Sequence, residues 1–210
     1  MNYTIYTDGS CDPKTGRGGW AFVILNGDPD QRDVVAQLSG SEQGTTNVRM
    51  ELRAAAEALG MIGEMHGIGC RVEIRSDATT VVNGASKWLP DWRAKGVLYN
   101  DEIPVSKRIK NIDLWRDIDR LVEGHIVRWT WVKGHSVDPY NAETDRLAYE
   151  ARVGQTGISM NSPVKNVSVT APLLDVMVKA VRDEAPWLNV SAAIRIAKSV
   201  IYAMEKRGMK

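Results

Sequence analysis

Cysteine is scarce in this 210-residue chain: Cys11 and Cys70 stand far apart and form no CxxC spacing. That excludes a disulfide framework and gives no structural zinc site; it fits a reducing cytoplasm with both thiols free. Long apolar runs are missing as well. No stretch reaches the about eighteen consecutive apolar residues of a membrane span, and the opening MNYTIYTDGS lacks the basic and apolar regions of a secretory signal. The expectation is a cytoplasmic protein without a membrane partner. No internal repeat is visible, and charge of one sign does not dominate, since 27 Lys and Arg face 26 Asp and Glu. What is present, 43% hydrophobic and 25% charged residues, is the composition of an ordinary globular protein and argues against disorder over most of the chain.

The near-neutral total hides an asymmetry. Residues 155–210 carry eight Lys and Arg against four Asp and Glu, while the preceding residues carry 19 against 22. Patterning divides the chain at the same place. Residues 3–7, 19–25 and 33–38 read as three strands joined by turns, an antiparallel meander. Leu52, Ala55, Ala56, Leu59 and Ile62 then recur at helical spacing, with Thr45 or Thr46 as the cap. Residues 71–76 are a strand, 79–88 a helix that stops before Pro90, 111–123 a helix, 126–133 a strand and 141–152 a last helix. The strand, helix, strand order implies a parallel crossover beside the meander. The fold class is therefore α/β, a five-stranded mixed sheet with helices packed on it, over residues 1–153.

Residues 154–170 turn to Gly, Thr, Ser, Asn and Pro and read as a linker. Residues 171–210 follow as a small helical extension of two amphipathic stretches, one on Leu173, Leu174, Met177, Val178 and Val181, the other on Ile194, Ala197, Val200, Ile201 and Met204. Its basic balance suits an extra nucleic-acid contact, and its apolar stripes suit packing or self-association. The catalytic part is expected to be a monomer.

Four acids, Asp8, Glu51, Asp77 and Asp145, each stand where an apolar strand or helix meets a turn. Carboxylates gathered within a fold repel one another unless a cation offsets them, so the set suggests a bound metal. Asp8 and Asp77 follow strands expected to lie parallel and adjacent, which brings both to one sheet edge. Glu51 borders the apolar stripe and so faces the sheet; Asp145 lies ten positions after His135 in GHSVDPYNAETD. Hard oxygen donors with little sulfur or imidazole favour Mg²⁺, with Mn²⁺ as a substitute. Two such ions about 3.5–4 Å apart can activate water and stabilise a leaving oxygen in phosphodiester hydrolysis.

The strings YTDGSC, TTNVRMEL, IRSDATTVVNGASKWLP, NIDLW and WTWVKGHSVDPYNAETDRLA, in this order and with these intervals, resemble type 1 ribonuclease H over residues 1 to about 152. The resemblance implies a ribonuclease H-like sheet and an endonuclease that cuts the RNA strand of RNA/DNA hybrids with Mg²⁺, leaving 3′-hydroxyl and 5′-phosphate ends. It implies that Asp8, Glu51, Asp77 and Asp145 hold metal and that His135 assists proton transfer or product release. It further implies hybrid contacts at Gly9, Ser10, Cys11, Asn47 and Asn141, a DNA-phosphate contact at Thr46, and DNA-strand contacts in the segment after Lys87 by Trp92, Arg93 and Lys95. Trp115, Trp129 and Trp131 are expected to pack in the core. The chain departs from the family pattern at Val48, where a second Asn is usual, at Thr79 in place of a frequent Gln, and at Lys14 in place of Asn. Two other readings stay open: a DNA nuclease of resolvase or integrase type on the same broad fold, and a catalytically silent hybrid-binding module.

Overall fold

The computed structural model describes residues 2–27, 33–134 and 138–154. His135, the expected linker beyond Gly154 and the expected helices over 171–210 lie outside the described residues.

Five strands form one mixed sheet in the order β3-β2-β1-β4-β5. Strands β1 (Asn2–Asp12), β2 (Arg17–Asn26) and β3 (Asp33–Glu42) pair antiparallel, the meander expected from the turn residues. Strands β4 (Arg71–Ser76) and β5 (Ile126–Trp131) add on in parallel, β4 against β1 and β5 against β4. The helices are α1 (Asn47–His66), α2 (Thr79–Asn83), α3 (Leu89–Ala94), α4 (Ile112–Val122) and α5 (Pro139–Val153). Among the described residues, no helix is long and apolar enough to cross a membrane.

Strand β2 is buried on both faces because its alternate residues enter two separate cores. Trp20, Phe22 and Ile24 join the large core with Met50, Leu52, Ala55, Leu59 and Ile62 of α1. Ala21, Val23 and Leu25 join Tyr6 with Leu147 and Ala148 of α5. The period of two thus assigns α1 to one face of the sheet and α5 to the other. Helix α4 lays Trp115 and Ile118 onto the α1 side.

Three details differ from the sequence expectation. Strand β1 does not end before Asp8; its ladder with β2 continues through Asp12↔Arg17, because the hairpin partner supplies hydrogen bonds that the local composition of GSCD does not advertise. The helix after β4 does not stop before Pro90. A π-turn over Gly84–Trp88 widens the helix, with the Leu89 N–H reaching Gly84 O, and Pro90 falls in the first turn of α3, the part of a helix that tolerates proline best. Trp115 is buried and Trp129 packs partly against the core, but Trp131 is 52% exposed. It sits at the last position of β5, with its indole Nε1 donating to Asp77 O at 3.0 Å.

Candidate active site

The parallel ladder between β1 and β4 ends at Tyr6↔Arg75. Beyond it β1 runs on with β2 alone, and the opening between the diverging strands is flanked by Asp8 on β1 and by Asp77, the first residue past β4. Gly9 follows Asp8, and a Cβ there would collide with the Glu51 backbone nitrogen. Only glycine therefore lets α1 approach closely enough to set Glu51 beside Asp8. Thr46 starts that helix, its Oγ1 accepting from Arg49 N at 3.3 Å, so the cap that fixes the entry of α1 also fixes Glu51 one turn later.

Carboxylate oxygens of Asp8, Glu51 and Asp77 lie within 4.8 Å of one another. Asp145, on α5, shares a hydrogen bond with Asp8 and adds its charge to the cluster. The structure thus brings together all four acids expected from the sequence. Burial, then the neighbouring charges of Asp77 and Asp145, push the Asp8 carboxyl up to about 7, against the lowering effect of the Gly9 N–H. Burial, then Asp8 and Asp77, raise Glu51 well above the usual carboxylate range. Like charges in a desolvated site demand either protons or a cation. The donor set fits a divalent metal: Glu51 Oε2 is buried without a hydrogen-bond partner, Asn47 Nδ2 reaches its Oε1 only at 3.5 Å, and the cluster is made of hard oxygens alone.

Above the acids lies an open cleft of about 400 Å³ lined in part by Gly9, Ser10, Asn47, Val48, Ala78 and Thr79. Two of the three departures from the family pattern, Val48 and Thr79, therefore face the space where a ligand would sit, while Lys14 lies in the exposed β1–β2 turn. Cys11 is half-buried at the same end of β1, its thiol donating to Thr45 O at 3.5 Å. Asn141 is buried in the first turn of α5.

The segment after Lys87 is arranged differently. Trp92 is half-buried, tilted against Trp88 and edge-on to Trp115. The Arg93 guanidinium is held by Asp119, which also accepts from Tyr99 Oη at 2.8 Å, and Lys95 Nζ pairs with Asp91 at 2.8 Å. Both basic candidates of the sequence reading are thus engaged by acids.

Sequence reasoning missed two features. Gly134 brings its backbone against Asp77, where a Cβ would stand 2.5 Å from Asp77 Oδ2. The residue before His135 is thereby tied to the acid cluster; the signal was the Gly-His pair itself. Asn111 is the one described non-glycine residue with positive φ, at 58°, and its Oδ1 accepts from Arg49 Nη1 at 3.4 Å. An Asn immediately before an amphipathic helix is the residue type that tolerates this conformation.

A family model described as RNase H matches residues 1–153. The ribonuclease H of Cupriavidus pinatubonensis is 41% identical over 144 residues, covering 69% of this chain and 90% of that protein. The ribonuclease HI of Caulobacter vibrioides is 41% identical over 147 residues, covering 70% of this chain and 90% of that one. Among solved structures, LC9-RNase H1, a type 1 RNase H with the type 2 active-site motif, superposes with a TM-score of 0.63 at 33% identity over 75% of this chain and 76% of its own. The RNase H1 of Halobacterium salinarum shares the fold at a TM-score of 0.52 and 21% identity, over 74% of this chain and all of that one.

Proposed function

The chain belongs to the ribonuclease H family and is a ribonuclease H enzyme, and we propose that it cuts the RNA strand of RNA/DNA hybrids by a two-metal-ion route that leaves 3′-hydroxyl and 5′-phosphate ends. The observation that carries this reading is the convergence of Asp8, Glu51 and Asp77 within 4.8 Å, with Asp145 bonded to Asp8, beneath an open cleft.

In this proposal the four acids hold two Mg²⁺ ions, with Mn²⁺ as a substitute, and the bound ions supply Lewis-acid chemistry for the attacking water and the leaving 3′ oxygen. Asp8, within reach of all three other acids, would be the central residue of the set that holds the metal. Burial and the charges of their neighbours keep Asp8 and Glu51 poor at holding charge without a cation, so metal binding and their ionisation are coupled. His135 assists proton transfer or product release. Gly9, Ser10 and Asn47 line the cleft and test for the 2′-hydroxyls of an A-like minor groove, with Cys11 and Asn141 as further hybrid contacts; Thr46 meets a DNA phosphate, and the exposed edge of Trp92 meets the DNA strand. Val48 and Thr79 alter the polar lining of the same cleft. The enzyme acts as a cytoplasmic monomer, and residues 171–210 add a contact to nucleic acid or to another protein surface.

End-labelled RNA/DNA hybrid with Mg²⁺, run beside RNA duplex, DNA duplex and an EDTA control, tests the reading. Cutting of the hybrid's RNA strand alone, abolished by EDTA, is expected. Cutting of pure DNA duplex would favour a DNA nuclease on the same fold, and tight hybrid binding with no cutting in Mg²⁺ or Mn²⁺ would favour a silent binding module.

A further inference from the structure

A chain of polar side chains runs across the sheet one step behind the acids. Side chains two apart on a strand share a face, so Tyr6 stands behind Asp8 on β1; Arg75, on β4 two residues before Asp77, is the direct neighbour of Tyr6 in the parallel ladder. Arg75 Nη1 donates to Tyr6 Oη at 2.9 Å, with its guanidinium 5.6 Å from the ring centroid. The same guanidinium is gripped by Glu73 at 2.9 Å, and Thr130 on β5 donates to Glu73 Oε1 at 2.8 Å. At its other end the chain leaves the sheet: Tyr6 Oη donates to Asp138 Oδ2 at 2.6 Å, across 132 residues of sequence.

Asp138 is where this network meets the catalytic helix. It is the N-cap of α5, its Oδ1 accepting from Tyr140 N at 3.0 Å. One carboxylate oxygen therefore starts the helix and the other anchors that start to the sheet. Asp145 is seven residues further along, two turns and so on the same helix face, and His135 is three residues before Asp138. The tyrosine ring is fully buried among Ala21, Val23, Leu25, Leu147 and Ala148, which leaves its hydroxyl little freedom to choose another partner.

The geometry points to Tyr6 as a positioning residue: through Asp138 its hydroxyl fixes the N-terminus of α5, and with it the placement of Asp145 over Asp8. Nothing in this role touches substrate, and it rests on the proposed hybrid cleavage. A hydroxyl that only stabilised the fold would be replaceable by any group restoring the lost stability. One that sets the place of Asp145 shows itself in turnover.

Tyr6→Phe keeps the ring and removes only the hydroxyl. We expect kcat for hybrid cleavage to fall about 10-fold, the scale at which supporting partners of metal ligands act, with KM and hybrid binding in EDTA unchanged. Asp138→Ala removes the helix cap as well and should lose at least as much, and the double variant should lose little more than Asp138→Ala alone, because the link from Tyr6 is already cut in it. Asp138→Asn, which keeps an acceptor oxygen, should recover part of the loss. Thr130→Val breaks the far end of the network without touching Asp138, and should lower the melting temperature as Tyr6→Phe does while leaving kcat as it is. Wild-type kcat in Tyr6→Phe, or equal loss of kcat in Thr130→Val, would overturn the inference alone. Failure of the unsubstituted chain to cleave hybrid would overturn the proposed function and the inference with it.

Discussion

Two regions of the molecule treat charge in opposite ways. At the mouth between β1 and β4, four carboxylates converge; burial and the neighbouring charges of Asp77 and Asp145 push Asp8 up to about 7, and burial with Asp8 and Asp77 raises Glu51. Across residues 88–119, acids and bases are interleaved and cancel: Arg93 with Asp119, Lys95 with Asp91, Arg116 with Asp101. The first arrangement costs the fold free energy unless a cation arrives; the second holds its own segment together. A set of charges that is unfavourable by itself is evidence of a ligand, whereas charges that satisfy each other are evidence of structure.

The sharpest way to break this contrast is Asp8→Asn. Hybrid cleavage should drop by about 1000-fold or more, since a carboxylate of the proposed metal site is lost, while hybrid binding in EDTA persists. Removing one of four repelling groups should also raise the metal-free melting temperature by several degrees. Cleavage within tenfold of the parent, or a lower melting temperature, would show that the cluster is a structural network after all.

A second test varies pH instead of sequence. Asp8 ionises at 3.8 ordinarily and at about 7 in the fold, so between those values the folded state holds the extra proton. Stability contributed by that proton is complete at low pH and is lost as pH climbs through about 7, at ~1.4 kcal/mol per unit for one such group. Glu51, raised by its burial and by Asp8 and Asp77, adds a loss of the same sign. Denaturation in EDTA should therefore show stability falling from pH 5 to pH 8, with a shallower fall in Asp8→Asn and with Mg²⁺ restoring the parent at pH 8. A parent and variant with parallel pH dependence would mean that Asp8 does not hold the proton.

The acids were legible in the sequence because each ends or interrupts an apolar pattern, and because the strings around them keep the family's order. Long-range pairing was not legible. Asp119 sits in the apolar stripe of α4 beside Trp115 and Ile118, yet its partner Arg93 lies 26 residues earlier, on a helix that Pro90 argued against. The widened turn at Gly84–Trp88 is what admits that helix, and no local propensity encodes it. Likewise the pattern of residues 3–7 marks a strand, but only the assembled fold buries Tyr6 and brings it to Asp138.

The interleaved segment offers its own test in Asp119→Ala. Asp119 is 1% exposed and accepts from both Arg93 and Tyr99, whose side chains are half exposed, so its removal releases both donors to water. The expected cost is about 1–2 kcal/mol in thermal or denaturant unfolding, with kcat on saturating hybrid within threefold of the parent. An activity loss larger than the stability loss explains would place this segment in the catalytic machinery.

Lys95→Ala is expected to do least, and for that reason it sharpens the comparison most finely. The Lys95–Asp91 pair is exposed on both sides, and such pairs contribute about 0–1 kcal/mol, so stability should barely move. A lysine that neutralises one phosphate of a duplex steepens the dependence of log affinity on log salt by about 0.9. Because Asp91 already meets this ammonium at 2.8 Å, binding a phosphate would require giving up that partner, and the slope for hybrid should change by less than half of that figure. A change of the full size would mean that hybrid displaces Asp91, and that the paired charges between residues 88 and 119 are a resting state opened by substrate.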